Sequence, residues 1–297
     1  MTGMTFREEN LALFLWLCRE RYEIKLRRDE GRAYPWTKDP ILAGHHFCNV
    51  FRRDDKTSVV IHRLIREQVG KQDMLRAAIL ARVVNKHSTI PGAWAIRNAE
   101  PNRLEECLKA NGINTNAYRL NTPKGLNSFA GVAELALTDT GSWGETLAEA
   151  DSLRRAHELM CAHSRIGSFV VYQVILDLLD CGYWAGPFDS SWALAGPGAY
   201  RGGQFLRGDE RISHWESGDF RPDRDEKLQA EMPALLAEAT ERVGSAWPAD
   251  WPRFTVHETE FMLCELDKYV RQRAGTGGGR RYRPPEPQSA TLDLFGG

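Results

Sequence analysis

Nowhere in the 297 residues is there an apolar run near the roughly 18 residues that a bilayer-spanning helix needs. The N-terminus, MTGMTFREENLALFLWLCRER, has acids ahead of its apolar stretch and no small-residue cleavage site, so it does not read as a signal peptide. No CxxC pair occurs among the six cysteines, at 18, 48, 107, 161, 181 and 264. A zinc ribbon and a disulfide framework are both left without support, and reduced thiols in a cytoplasm are expected. Also missing are a GxxxxGK[ST] loop, a GxGxxG after a strand and an HExxH. The GTGGGR at 275–280 follows a helical pattern and lacks the lysine, so nucleotide-dependent kinase chemistry is not expected of this chain by itself. Strand signals are scarce, and VVIH at 59–62 lies inside a better helix pattern.

What is present is a globular composition, 42% hydrophobic and 27% charged, with nine Trp, twelve Phe and eight Tyr. Helical patterns are predicted over 6–28, 56–69, 73–85, 101–110, 144–163, 165–181, 225–243 and 255–273, which makes the chain all-α. The segment 33–51 reads as irregular, and 182–203, with six glycines, two Trp, two Tyr and two Pro, reads as a loop. Two parts are expected: a helical domain over 1–273 and a flexible Gly/Pro/Arg-rich tail over 274–297. The net charge of −1 is uneven, with 18 basic against 12 acidic residues in 1–100, 7 against 11 in 101–200 and 14 against 17 in 201–297. Lys268 to Arg283 holds six basic residues and no acid. Local basic zones of this kind can hold a polyanion on a near-neutral protein.

Four groupings carry candidate chemistry. HSRIGSFVVYQVILDLL (163–179) resembles a helix–hairpin–helix element whose glycine turn, with Arg165 and Gly167, offers backbone N–H groups to a DNA phosphate. Its Asp177 is either a buried, satisfied helix residue or a carboxylate lining a pocket. In HETEFMLCELDKYVRQR (257–273), Glu258, Phe261, Glu265 and Lys268 recur at helical steps and share a face. Surface ion pairing is the bland account of that face, and Cys264 is more plausibly core than nucleophile. Around 34–53, the aromatics Tyr34 and Trp36 stand with Asp39, His45, His46, Asn49, Arg52 and Arg53. Stacking on a base while holding its phosphate needs such a mixture, although aromatic packing beside an exposed basic strip explains it too. The His-His pair lacks a third ligand, so no metal is expected. The tail ends Leu292-Asp293-Leu294-Phe295, preceded by Gln288, a weak likeness to the peptide that docks bacterial DNA enzymes on the sliding clamp.

YPWTKDPILAGHHFCNVFRRDD (34–55), IGSFVVYQVILDL, AGPGAYRG (195–202) and HETEFMLCELDKYVR together resemble the DNA base-hypermodification family of bacteriophages and bacteria. That family includes the amino acid:DNA transferases, first described as alpha-glutamyl/putrescinyl thymine pyrophosphorylases, and the helical domain attached to 5-hydroxymethyluridine DNA kinases. The resemblance runs from about residue 10 to 283. It implies a fold related to helix–hairpin–helix DNA glycosylases. It also implies a transferase that replaces a (pyro)phosphate on a thymine 5-methylene with an amino acid amine, glycine being one candidate.

On that basis a double-stranded DNA substrate would be bound and a modified pyrimidine flipped into a pocket. Arg52, Arg201 and Lys268 could neutralise the leaving group, and Glu258 or Glu265 could deprotonate the amine, with Asp177 and Asp189 in reserve. Tyr34 and Trp36 could stack on the base while Asn49 or Asp39 reads its edge. Arg271, Arg273, Arg280 and Arg281 would form a basic arm on DNA, and Leu292, Leu294 and Phe295 a clamp contact. No cofactor and no membrane partner are expected. The alternatives are an N-glycosylase acting through Asp177 or Asp189, and a non-catalytic DNA-binding partner of a separate kinase.

Overall fold

The computed structural model describes residues 5–113, 128–137, 141, 143–185, 187–208, 226–277 and 281–282. Among these residues there are thirteen α-helices and no strand. In chain order they are α1 (Glu8–Asp29), α2 (Pro40–Gly44), α3 (Lys56–Arg66), α4 (Lys71–Val84), α5 (Ile90–Ala95), α6 (Pro101–Asn111) and α7 (Ser128–Ala136). They continue as α8 (Trp143–Ala148), α9 (Leu153–His163), α10 (Ser168–Asp180), α11 (Pro197–Arg207), α12 (Glu226–Ala246) and α13 (Val256–Arg273). A 3-10 turn at Arg52–Asp54 precedes α3. No helix among the described residues is long and apolar enough to cross a membrane. All six cysteines are free thiols.

The helices divide between two apolar cores. One is built from α3 to α10 around Ile61, Ile65, Leu75, Ile79, Leu104, Val171 and Ile175. The other joins α1 and α2 to α11, α12 and α13 around Phe14, Leu17, Phe51, Leu235, Met262 and Leu266. The chain therefore starts in the second lobe, crosses to the first near residue 55, and returns near Leu194.

Three sequence expectations need correction. The predicted helix over 144–163 is two helices, because Ser152 adopts an extended backbone and its hydroxyl accepts from Arg155 N at 3.3 Å, starting α9 afresh. The irregular segment 33–51 contains α2, capped by Asp39, whose carboxylate accepts from Leu42 N at 2.8 Å. The last third of the 182–203 loop is helical: α11 starts at Pro197, a residue suited to the first turn. Its glycines bring it close to α13. A Cβ on Gly202 would stand 2.2 Å from the Leu263 carbonyl oxygen, and one on Gly198 would stand 3.1 Å from Cys264 Sγ.

That contact makes α13 the axis of the second lobe. Thr259, Glu260, Met262, Leu263, Glu265, Leu266, Asp267 and Tyr269 are all buried, so the helix has almost no solvated side. Each acid on it must then be matched by a specific partner, because an unpaired buried carboxylate is costly. Those partners organise the candidate site.

Candidate active site

A narrow cleft lies where the lobes meet. α10 of the first lobe supplies Gln173, Leu176, Asp177 and Asp180; α13 of the second supplies His257, Glu258, Glu260 and Phe261. The crossing segment closes one side with Val50, Arg52, Arg53 and Ser58. Arg52 stands over the Phe261 ring, its guanidinium carbon 5.8 Å from the centroid. Only water-sized space separates the walls, so a base entering would require that pair to part.

The acids of the cleft differ sharply in their surroundings. Glu260 is 3% exposed and accepts one backbone hydrogen bond, from Gly196 N at 3.2 Å. Burial pushes its carboxyl up to about 7, with the Gly196 N–H and the Arg52 charge pulling the other way. Glu258 is the N3 residue of a capping box: its Oε2 accepts from Thr255 N at 2.9 Å and from the Thr255 hydroxyl. Burial raises its carboxyl as well, against those two bonds. Asp180, at the rim, is raised by burial, and the neighbouring Asp177 charge adds to the effect.

Asp177 behaves in the opposite way. Its carboxylate takes two bonds from the Arg82 guanidinium, and His62 Nε2 lies 2.9 Å from Oδ1. Burial would raise it, but the Arg82 charge and the bonds from His62 and Arg82 hold it below the ordinary carboxylate range. Arg82 also donates to Ser58 Oγ at 3.0 Å, which ties α3, α4 and α10 together behind the cleft. His257 donates from Nε2 to the Trp192 carbonyl at 3.2 Å, and burial lowers its pKa so that the neutral imidazole is favoured.

The other predicted site residues lie away from this cleft. Glu265 and Lys268 continue the Glu258–Phe261 face but hold the chain at 46–48. Cys48 N donates to Glu265 Oε2 at 3.1 Å, and Lys268 donates to the His46 carbonyl and stands 4.5 Å over the Phe47 ring. Arg201 forms a bidentate pair with Asp267, at 2.9 and 3.0 Å, and Arg271 grips the same carboxylate. Asp189 is solvated, bridges to Ser152 and accepts from Ser191 N at 2.8 Å. Burial pushes the Cys264 thiol well above its ordinary range, which leaves it a packing residue under α11.

Tyr34, Trp36 and Asn49 line a second hollow on the far side of the crossing segment, with Arg28, His45 and Tyr282. Tyr34 stacks on Tyr282, with centroids 5.7 Å apart and planes at 25°, and meets Trp36 edge-on at 5.5 Å. Asn49 is occupied locally, donating to the Asp54 carbonyl at 2.9 Å and to Asp55 at 3.0 Å. Asp39, besides capping α2, accepts from the Tyr269 hydroxyl at 2.9 Å. Arg281 bridges to His45 and Tyr282 N donates to the Gly44 carbonyl at 3.1 Å, so this part of the tail is seated on the domain.

Gly167 caps α10 with open space where a Cβ would stand, and the neighbouring Arg165 pairs with Glu134. Arg273 is exposed at the end of α13. Arg280, Leu292, Leu294 and Phe295 lie outside the described residues. Among the described residues, no three His, Cys, Asp or Glu side chains come together in a way that could hold a metal ion.

Compared with family models, residues 8–278 match the family described as "5-hmdU DNA kinase, helical domain". The chain belongs to this family. No curated protein and no solved structure matches it. The family's name associates its helical domain with modification of 5-hydroxymethyl-deoxyuridine in DNA, and the match covers both lobes and every residue of the cleft.

Glu260, Gln173, Asp180, His257 and Ser58 were not singled out from sequence, although all line the cleft. A signal for Glu260 did exist. It sits one turn before Cys264 and two before Asp267, on the stripe that meets the small residues of AGPGAYRGG. A face built on 258, 261, 265 and 268 passes it by.

Proposed function

We propose that this protein modifies a 5-substituted pyrimidine in DNA at the lobe junction, replacing a (pyro)phosphate on the 5-methylene carbon with an amino acid amine. The observation that carries the proposal is the cleft that sets a near-neutral buried carboxylic acid, Glu260, beside the cations Arg52 and Arg53. Family membership supplies the substrate context, since the family is named for a kinase that acts on 5-hydroxymethyl-deoxyuridine in DNA. Phosphorylation of that hydroxymethyl group would create the leaving group that such a substitution needs.

In the proposed step Glu260 takes a proton from the incoming ammonium. The amine lone pair forms a C–N bond to the methylene carbon, and the C–O bond breaks with its electron pair going to the departing phosphate. Arg52 and Arg53 stabilise that anion, a kind of interaction that can be worth several kcal/mol in a dry site. A base with a pKa near 7 is well matched to proton transfer at neutral pH, a role typically worth about 10²–10⁴-fold. Asp177 suits this role less well, because its oxygens are already engaged by Arg82 and His62. DNA would be held at the open turn at Gly167, at the start of the helix whose later turns line the cleft.

The experiment is mass spectrometry of nucleosides from a duplex carrying 5-phosphomethyl- or 5-pyrophosphomethyl-deoxyuridine, after incubation with the protein and mixed amino acids. A base whose mass reports an added amino acid, with its glycosidic bond intact, is expected. The Glu260→Gln variant should lose at least about 10²-fold in rate. Abasic sites in place of a new base would establish the glycosylase reading instead. Unchanged nucleosides with full DNA binding would establish the non-catalytic one.

A further inference from the structure

Gln173 is 2% exposed, on α10 one turn before Asp177, and its side chain lines the cleft. Its Oε1 is buried and has no hydrogen-bond partner among the described residues. Buried amides are nearly always paired, because leaving a polar group dry and unmatched is destabilising. An unpaired amide oxygen in a cleft with an apolar lining is therefore poised for something that enters. Here the apolar lining is Val50, Leu176 and Phe261, against which a flat ring could pack once Arg52 and Phe261 part.

We infer that Gln173 reads the hydrogen-bonding edge of the pyrimidine, and so determines which base the cleft accepts. The inference rests on the function proposed above. A carboxamide presents one acceptor beside one donor pair. The uracil edge presents an N3–H donor between two carbonyl acceptors, so Gln173 Oε1 can accept from N3–H while Nε2 donates to O4 or O2. A cytosine edge has an unprotonated N3 beside an amino group and matches only the turned-over amide. In the fold the buried atom without a partner is the acceptor Oε1, which the uracil N3–H can meet and the bare cytosine N3 cannot. A uracil-type base is the expected partner, and the acids and Arg52 are left to act on its 5-substituent.

The test uses full-length protein and three duplexes differing at one position, which holds 5-hydroxymethyluracil, 5-hydroxymethylcytosine or thymine opposite its complement. Wild type is expected to bind the 5-hydroxymethyluracil duplex at least tenfold more tightly than the 5-hydroxymethylcytosine one. Gln173→Leu should bring the two within about twofold by weakening the 5-hydroxymethyluracil and thymine duplexes, which share the edge that Gln173 reads, more than the 5-hydroxymethylcytosine one. Its melting temperature should equal or exceed that of wild type, because Oε1 has no hydrogen bond to lose in the free protein. Gln173→Met, close in shape, serves should the branched side chain prevent folding. Retention of the full preference in a folded Gln173 variant overturns the inference and leaves the proposed function standing. A wild type that binds all three duplexes equally also overturns the inference, and the nucleoside masses decide the proposed function separately.

Discussion

Asp177, Arg82 and His62 form a buried trio whose logic is opposite to that of Glu260, although both acids line one cleft. The Asp177 carboxylate is held charged by a guanidinium with which it shares two hydrogen bonds, on side chains each 3% exposed. Removing one member leaves the other uncompensated, which typically costs about 3–5 kcal/mol. Asp177→Asn should therefore lower unfolding free energy by about that amount in urea titrations, because the buried Arg82 charge loses its carboxylate. Replacing both residues with apolar ones of similar size should restore much of the loss, and an additive double-mutant cycle would disprove the coupling. The sequence showed Asp177 as an acid on an apolar helix, which leaves burial and catalysis equally open. Arg82, 95 residues away in sequence, resolves the ambiguity, and spacing along one helix could not reveal it. The same holds for Glu265, whose partner Cys48 N is 217 residues away.

At the scale of elements, the contact of α11 with α13 depends on residues that lack side chains. Gly202→Ala places a methyl carbon 2.2 Å from the Leu263 carbonyl oxygen, an atom fixed within α13. The helices must separate, and a loss of about 3 kcal/mol is expected from thermal or urea unfolding, at the upper end for overpacking. Gly244→Ala is the contrasting case. It lies near the end of α12 with nothing within 4 Å of a Cβ, so alanine should stabilise by about 0.5 kcal/mol through helix propensity. A destabilisation at Gly244 as large as that at Gly202 would refute the close-approach explanation. This packing also explains why α11 was read as a loop. Composition marks Gly and Pro as breakers, yet here Pro197 opens the helix and the glycines serve its partner. Helices with a clear amphipathic pattern, such as α3 and α6, were legible to within a few residues. The short α5 and α7 were not, since six or nine residues offer little periodicity.

On the scale of the whole molecule, the chain folds one lobe inside the two halves of another and places a buried, protonatable acid at the seam. That arrangement makes stability depend on pH in a defined direction. The Glu260 carboxyl stands at about 7 in the fold, against roughly 4.3 for an ordinary Glu in an unfolded chain. Folding thus favours the protonated form. The associated stability is complete below the unfolded value and fades as pH rises from there through about 7. Above that range the fold must carry the charge inside the seam. Each pKa unit is worth about 1.4 kcal/mol, so a few kcal/mol separate the two ends of this window. Glu260→Gln keeps the acceptor for Gly196 N and removes the titration. The unfolding free energy of the variant relative to wild type should therefore rise between about pH 4.5 and pH 7 and level off above it. The raised Asp180 and Glu258 carboxyls and the lowered His257 are present in both proteins and largely cancel in the difference. The modification rate should follow the reverse course, climbing through the same pH range as Glu260 loses its proton and can serve as a base. A seam that is most stable when Glu260 is protonated would thus be most active when it is not. A difference in stability that stays flat from pH 4 to 8 would show that Glu260 titrates as an ordinary solvated acid, and it would remove the base from the proposed reaction.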